Sequence, residues 1–342
     1  MTQPAAAPPR ARTHEFAAYE EAVEAAFDAG WTDGLPVVPP TPDRVAAMLA
    51  ADGAEPDEVL GAVPTRNVVV TAEKAAINAV MAGCRPEYFP VVAAAMRAQL
   101  TPMGNTHSTT ATLAGAAQVV IVNGPVREHL GIACGQACFG PGFRANATIG
   151  RAVRLTLRNA CRSVPGVLDR ATFSSPMRYS FCFGEDEEFS TWTPLHVERG
   201  LAPEQSAVTM CSLMNFLRVM DFSTDPEAIL DAVATVLRHT GLGKDRYLGD
   251  GRSIVLVVGQ EHQRRFLDAD WSKQRLREYL WPLLTAADTG PYDKRLSLAD
   301  PGNILVVAAG GPGMVETWAL LPHLSNPVTE PVRGAGGQDG HR

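Results

Sequence analysis

Ser253-Ile-Val-Leu-Val-Val258 is a continuous apolar run, and Asn303-Ile-Leu-Val-Val-Ala-Ala309 is a second. Runs of this kind read as strands covered on both faces, as in a parallel sheet. A helix is predicted between them, from Ser272 to about Ala287, and another starts at Asp225-Pro226 and closes at Gly241. After the second run come Gly310-Gly-Pro-Gly313 and a segment read as a helix to Leu324. Strand, helix, strand, helix predicts a parallel α/β unit over residues 223–327, with the two runs as neighbouring strands.

Upstream, residues 14–222 read as a mixed α+β domain, so the fold class is α/β. His14 to Gly30 has the stripe of an amphipathic helix, with Phe16, Tyr19, Val23, Ala26 and Phe27 on one side. Thr32-Asp-Gly-Leu-Pro-Val-Val-Pro-Pro-Thr41 is a proline-stiffened connector, and Thr41 with Pro42 starts a helix to about Ala51. Asn67-Val-Val-Val70 reads as a strand, Thr71 caps a helix ending near Gly83, and Pro86 opens a helix that reaches Leu100. Further strands are expected at 118–123, 178–183 and 206–213, and a domain boundary near 220–225. Residues 1–13, rich in Pro and Ala, and the glycine-rich tail 328–342 have little to bury and are expected to be disordered.

The chain has 342 residues, 46% hydrophobic and 20% charged, with a net charge of -7. Such a composition is globular, and an acidic chain without basic runs argues against nucleic-acid binding. No segment has the ~18 unbroken apolar residues of a membrane span, and the N-terminus lacks a secretory apolar stretch, so a cytoplasmic location is expected. The six cysteines are then reduced, as packed residues or reactive thiols rather than a disulfide frame.

The chemistry concentrates in Cys134-Gly-Gln-Ala-Cys138-Phe-Gly-Pro-Gly142-Phe-Arg144-Ala-Asn146, which leads into a helix carrying Arg151, Arg154 and Arg158 on one face. A glycine turn at a helix start aims backbone N–H groups at an anion. Gly140, Gly142, Arg144, Asn146 and Arg151 therefore form a candidate site for an anionic substrate, with Asn123 at the end of the preceding strand. The turn matches neither dinucleotide nor P-loop spacing, and its plainer reading is a tight turn beside a solvated arginine stripe.

Cys134 and Cys138 make a C-x3-C pair without the second pair of a zinc site. Position 141 is proline, where an iron–sulfur radical enzyme would want cysteine. No metal ligand set and no cofactor are assigned. Cys134, Cys138 and Cys84, the last at a helix junction, are candidate thiols activated by a helix start, or simply packed. His107, in a Ser/Thr-rich loop, is a candidate acid/base.

Gly184-Glu-Asp-Glu-Glu188 precedes Trp192, Pro194 and His196, and offers Glu188 and His196 as a proton-transfer pair facing the same cavity as Arg144. A solvated strand end is the competing reading. His262, Gly311 and Gly313 follow the two C-terminal strands, and ligands bind at the carboxyl ends of parallel strands, so their loops are expected to meet in one crevice.

Five segments together resemble an uncharacterised bacterial family: Thr32–Thr41, Ala76–Tyr88, Val122-Asn-Gly-Pro125, Gly140–Ala152 and Pro194-Leu-His-Val-Glu-Arg-Gly200. The resemblance spans most of residues 31–320. It implies a partner protein bearing a Sec/Cys-Gly-Ser-Cys motif, and members are sometimes labelled thiol-disulfide oxidoreductases. The C-x3-C pair departs from a more glycine-rich family segment. The leading expectation is an oligomeric enzyme, a lyase or oxidoreductase, acting on a small anionic metabolite by thiol-assisted or acid/base C–S or C–heteroatom chemistry. A metal-dependent lyase or hydrolase using His107, Glu188 and His196 is the second enzyme class. A non-catalytic subunit serving the Cys/Sec partner is the third reading.

Overall fold

The computed structural model describes residues 10–239, 253–287 and 296–334. Its first part is α1 (Tyr19–Asp28), α2 (Pro42–Asp52), the hairpin β1 (Val59–Val63) and β2 (Val68–Thr71), α3 (Ala72–Ala82), α4 (Phe89–Gln99) and the short α5 (Thr106–Thr110). There follow β3 (Ala117–Asn123), α6 (Val126–Leu130), α7 (Arg144–Asn159), β4 (Cys182–Gly184), α8 (Leu195–Glu198) and the long β5 (Ala207–Met220). The last part is α9 (Pro226–Arg238), β6 (Ile254–Val258), α10 (Gln260–Asp268), α11 (Lys273–Thr285), β7 (Ile304–Ala308), β8 (Glu316–Pro322) and β9 (Val328–Pro331).

Local signals set several of these elements as expected. Pro42 occupies the first turn of α2, and the Thr71 side chain accepts a hydrogen bond from the Lys74 N–H to cap α3. Gly83 ends α3 at φ 88°, a left-handed position that glycine takes without a Cβ clash. The N-terminal helix starts only at Tyr19. Gly241, expected to close α9, lies outside the described residues.

The sheet order is β4-β3-β5-β8-β6-β7, with β9 paired to β5. β6 and β7 are parallel neighbours in the register Ile254↔Ile304 to Val258↔Ala308, as the two apolar runs predict. The segment after them corrects the expectation: Glu316–Pro322 is a strand, not a helix, and inserts antiparallel between β5 and β6. Its side chains explain why. Leu320 packs on the inner side of the sheet while Ala319 and Leu321 pack on the outer side, the period-2 division of a strand.

β5 also removes the expected boundary at 220–225. Its first half pairs with β3 and β9 and its second half with β8, so one sheet runs through both predicted domains. The expected disorder of the ends is corrected where they are described. Val328–Pro331 forms β9, and the Arg10 N–H donates to Glu73 Oε1 at 2.8 Å. Residues 1–9 and 335–342 lie outside the described residues.

The sheet curls until its two edges approach. The Asp186 N–H, just after β4, donates to the Ala308 carbonyl at the end of β7 at 2.7 Å. Val119, Ile121, Phe183, Val255, Val257, Leu305 and Val307 fill the inside of the curl. Their sequence neighbours face outward, Val120 and Val122 against the N-terminal helices, Ile254, Leu256 and Val306 against α9 and α11. A fully buried side chain of this size contributes about 1.5–3 kcal/mol, so the curl rests on hydrophobic burial. Its polar residues collect where the edges meet. No helix among the described residues is long and apolar enough to cross a membrane.

Candidate functional site

The four carboxylates Glu185 to Glu188 leave β4 at the point where the sheet edges meet. The turn that follows the strand sends their side chains different ways. Glu185 is buried at 1% exposure and has four partners. It accepts from Asn123 Nδ2 at 2.6 Å, the Leu195 N–H at 2.7 Å, Lys273 Nζ at 3.2 Å and the Ala308 N–H at 3.5 Å. Lys273, also buried, donates to the Thr193 carbonyl at 2.7 Å. A buried charge persists only when paired and hydrogen-bonded, and this pair ties β3, β7, α8 and α11 to the end of β4.

Glu187 accepts from Asn123 Nδ2 at 2.9 Å and the Gly124 N–H at 2.8 Å, and lies 3.2 Å from Arg127 Nε. The Arg127 guanidinium forks onto Glu188, with Nη1–Oε2 at 3.1 Å and Nη2–Oε1 at 2.6 Å. This planar two-bond fit is specific to arginine. Burial opposes the charge on Arg127, but Glu188 and Glu187 outweigh it and hold its pKa above the ordinary value. The Arg127 hydrogen bonds in turn hold the Glu188 carboxyl below the usual carboxylate range.

Cys134 Sγ lies 4.0 Å from Arg127 Nη1. Its sulfur and carboxylate oxygens of Asp186 and Glu188 all lie within 4.8 Å of one another. Cys134 and Asp186 are half-buried and Glu188 is exposed, so the group faces solvent on one side. Burial first, and the Asp186 charge second, push the Cys134 thiol up, while Arg127 pulls the other way. Asn146 holds this loop in place. Its side chain accepts from the Ala133 N–H at 2.9 Å and donates to the carbonyls of Ala133 at 3.0 Å and Cys138 at 3.3 Å.

His196 is fully buried behind the group; its Nδ1 lies 4.0 Å from Glu187 Oε1 without a hydrogen-bond partner, while its Nε2 meets the Pro203 carbonyl at 3.4 Å. Its carboxylate neighbour is therefore Glu187, not the expected Glu188.

Other predicted residues lie elsewhere. Arg144 donates to the Gly83 carbonyl from Nε at 3.2 Å and Nη2 at 3.0 Å, which makes it a helix-end clamp rather than a companion of Glu188 and His196. Gly140 and Gly142 are exposed beside it. Arg151 forks onto Asp33 at 2.8 Å and also donates to Leu35 and Pro36, so it fastens the proline-rich connector to α7. The arginine face is not simply solvated, because Arg154 is buried.

Cys84 is buried with Sγ 3.3 Å from the Thr148 carbonyl, and burial pushes both Cys84 and Cys138 up to about 12. That is the opposite of thiol activation. His107 is exposed and pairs with Thr65 Oγ1 through Nδ1 at 2.8 Å, away from the carboxylates.

His262 Nε2 donates to the Asp221 carbonyl at 2.8 Å, which leaves Nδ1 to accept from Thr317 Oγ1 at 2.9 Å. Burial lowers its pKa and keeps this neutral bridge. The two C-terminal loops do meet, since the Gly313 N–H donates to Glu261 Oε1 at 3.1 Å. Gly311 instead packs on Gln136 of the Cys134 loop, and the Gly310 N–H donates to the Cys134 carbonyl at 2.7 Å.

Arg127, Asp186 and Lys273 belong to this group of charges and were not among the candidates read from the sequence. Arg127 lies in Pro125-Val-Arg-Glu-His129 and Lys273 in Asp270-Trp-Ser-Lys-Gln-Arg275, charged helix starts of ordinary appearance that carry no local mark of a buried pair.

No family model matches the chain, and neither the curated proteins nor the solved structures include a match.

Cys134 is half-buried and the other five cysteines are buried. Under native conditions iodoacetamide is expected to label Cys134 first, found by peptide mass mapping. Because its thiol is pushed up, the rate should be low at neutral pH and keep climbing beyond the ~8.5 of a free cysteine. Asp186→Asn removes a raising charge and should speed labelling at pH 8. Equal labelling of Cys84 or Cys138 would contradict this geometry.

Proposed function

We propose that this chain is a metal-dependent enzyme, a lyase or hydrolase acting on a small anionic metabolite, with a zinc ion held by Cys134, Asp186 and Glu188. The observation that carries the reading is the convergence of a thiol sulfur and two carboxylates within 4.8 Å at a solvent-facing rim. Charge supports it. Among the described residues, the cations facing Glu185, Asp186, Glu187 and Glu188 are Arg127 and Lys273, while Glu198 has Arg277, so two negative charges are left over for a divalent cation. A mixed sulfur and oxygen donor set suits zinc better than magnesium or calcium.

Three protein ligands and one open side are the arrangement of catalytic zinc, and bound zinc would polarise an anionic oxygen of the substrate. Arg127 orients Glu188 through its fork. Asp186 is held by its own N–H on Ala308 and by the Phe189 N–H, which donates to Oδ1 at 3.1 Å. A thiol nucleophile acting without metal is less well supported, because burial and Asp186 oppose the thiolate that such chemistry needs.

Zinc titration by calorimetry tests the reading. The wild-type chain should bind one zinc and release a proton, with affinity rising with pH as Cys134 ionises. Cys134→Ser and Asp186→Asn should each weaken binding by more than the roughly tenfold to hundredfold that disturbing outer-shell support costs. Zinc should also protect Cys134 from iodoacetamide. Absence of zinc binding, or unchanged binding in Cys134→Ser, would overturn it.

The oxidoreductase reading implied by the family resemblance has one observation in its favour. Cys134 is the half-exposed thiol, the one within reach of a Cys/Sec-Gly-Ser-Cys partner. Trapping a mixed disulfide at Cys134 with the disulfide-bonded form of a peptide of that motif, whose second sulfur leaves as a thiolate, and without zinc binding, would favour it instead.

A further inference from the structure

An open cleft of about 400 Å³ lies beside the C-terminal half of α7, and no residue of the carboxylate group contributes to it. Arg154 and Arg158 are four residues apart on α7 and so project to one face. Arg178 joins them from the turn Pro176–Arg178. Like charges gathered this way repel unless an anion lies among them. The protein supplies part of the compensation. Asp169 pairs with Arg178, Gln118 accepts from Arg154, and Arg158 donates to the Gly30 carbonyl at 2.8 Å. Asp33 also lines the cleft but is forked by Arg151.

The compensation is incomplete. Arg158 Nε, Arg178 Nε and Ser175 Oγ are buried and have no hydrogen-bond partner, all on residues that line this one cleft. Donors without an acceptor carry uncompensated partial positive charge, so all three add to the potential an anion in the cleft would meet. Burial, and then the charge of Arg178, pull Arg154 down to about 9, which leaves it a cation at neutral pH and adds to the positive field.

The rim carries the other half of a ligand. Phe173 is 93% exposed and Tyr179 49% exposed, with Pro176 between them in sequence. Ser174 has φ 71°, a left-handed conformation that is strained for a non-glycine residue and clusters at ligand clamps. The strain falls on the residue beside the exposed ring.

We infer that this cleft binds a small oxyanion, phosphate or carboxylate, carried on an aromatic ring, with Arg154, Arg158, Arg178 and Ser175 taking the anion and Phe173 and Tyr179 the ring. The volume is within the range of small-ligand sites, and a concave cationic floor under an aromatic rim fits a small ligand better than a protein face. This inference stands independently of the zinc site.

Phenyl phosphate, benzoate and inorganic phosphate, titrated by calorimetry and followed by NMR, are the probes. At least one aryl probe should bind saturably, and more tightly than inorganic phosphate; which one wins separates phosphate from carboxylate. Phe173→Ala, at an exposed position that folding tolerates, should weaken the aryl probe about threefold to tenfold and leave inorganic phosphate unchanged. Arg158→Gln should weaken every probe tenfold or more. A thermal melt of each variant separates lost binding from lost folding. No saturable binding in the millimolar range by the wild-type chain would overturn the inference. So would equal affinities in the folded variants, or a change of oligomeric state in Phe173→Ala, which would make the rim a contact between copies.

Discussion

Lys273→Met is expected to destabilise the fold by about 3–5 kcal/mol, the cost of leaving a buried carboxylate without its cation. The Glu185 carboxylate is buried at 1% exposure, and the Lys273 ammonium at 3.2 Å is its cationic partner. Its remaining bonds to Asn123, Leu195 and Ala308 satisfy its geometry but supply no charge. Urea unfolding measures the effect as a fall in midpoint at unchanged slope. The double variant Glu185→Gln/Lys273→Met removes both charges and should recover part of the loss, so the two single effects should not add. A Lys273→Met stability within ~0.5 kcal/mol of wild type, the range of ordinary surface changes, would mean that Glu185 is held by neutral donors alone.

Gly311→Ala should weaken zinc binding roughly tenfold to a hundredfold, as do substitutions that disturb the support of metal ligands. A Cβ at Gly311 would lie 2.1 Å from Gln136 Cγ, 2.8 Å from its backbone nitrogen and 2.9 Å from its Cα. The Gln136 side chain can swing away, but the backbone contacts require the Cys134–Cys138 loop itself to shift. Cys134 would move from Asp186 and Glu188 while the strands beneath stay in place. Gly135→Ala is the control, since a Cβ there has no neighbour within 4 Å and lies on the same loop. Calorimetric zinc titration of both variants checks this. Equal affinity in Gly311→Ala and wild type would show that the loop adapts without cost to the site.

Part of the candidate site was legible in the chain. Glu188, Cys134 and Asn123 belong to one neighbourhood, and all were read as functional candidates from their positions near strand ends and a glycine-rich turn. Arg144 and Arg151 were read as anion ligands from the same logic and instead hold backbone and connector. An arginine near a helix start satisfies either role, and the difference depends on whether Gly83 or Asp33 stands opposite. Cys84 and Cys138 present the same ambiguity, since a cysteine beside a helix end is activated or inert according to burial.

Elements whose signals are local were determined by sequence alone. Capping by Thr71, proline at the start of α2, and the apolar runs of β3, β6 and β7 concern residues within a few positions of each other. β8 was not legible as a strand. Both of its faces are buried in different cores, so Trp318-Ala-Leu-Leu321 has no polar face to reveal its period. Only the tertiary structure decided that β5 would run through both halves of the chain and that the sheet would curl until Asp186 met Ala308. That curl brings Arg127 to Glu188 across 61 positions and Lys273 to Glu185 across 88. A charge pair at that separation leaves no periodicity in the chain, because its partners are chosen by the packing of the sheet and not by their neighbours in sequence.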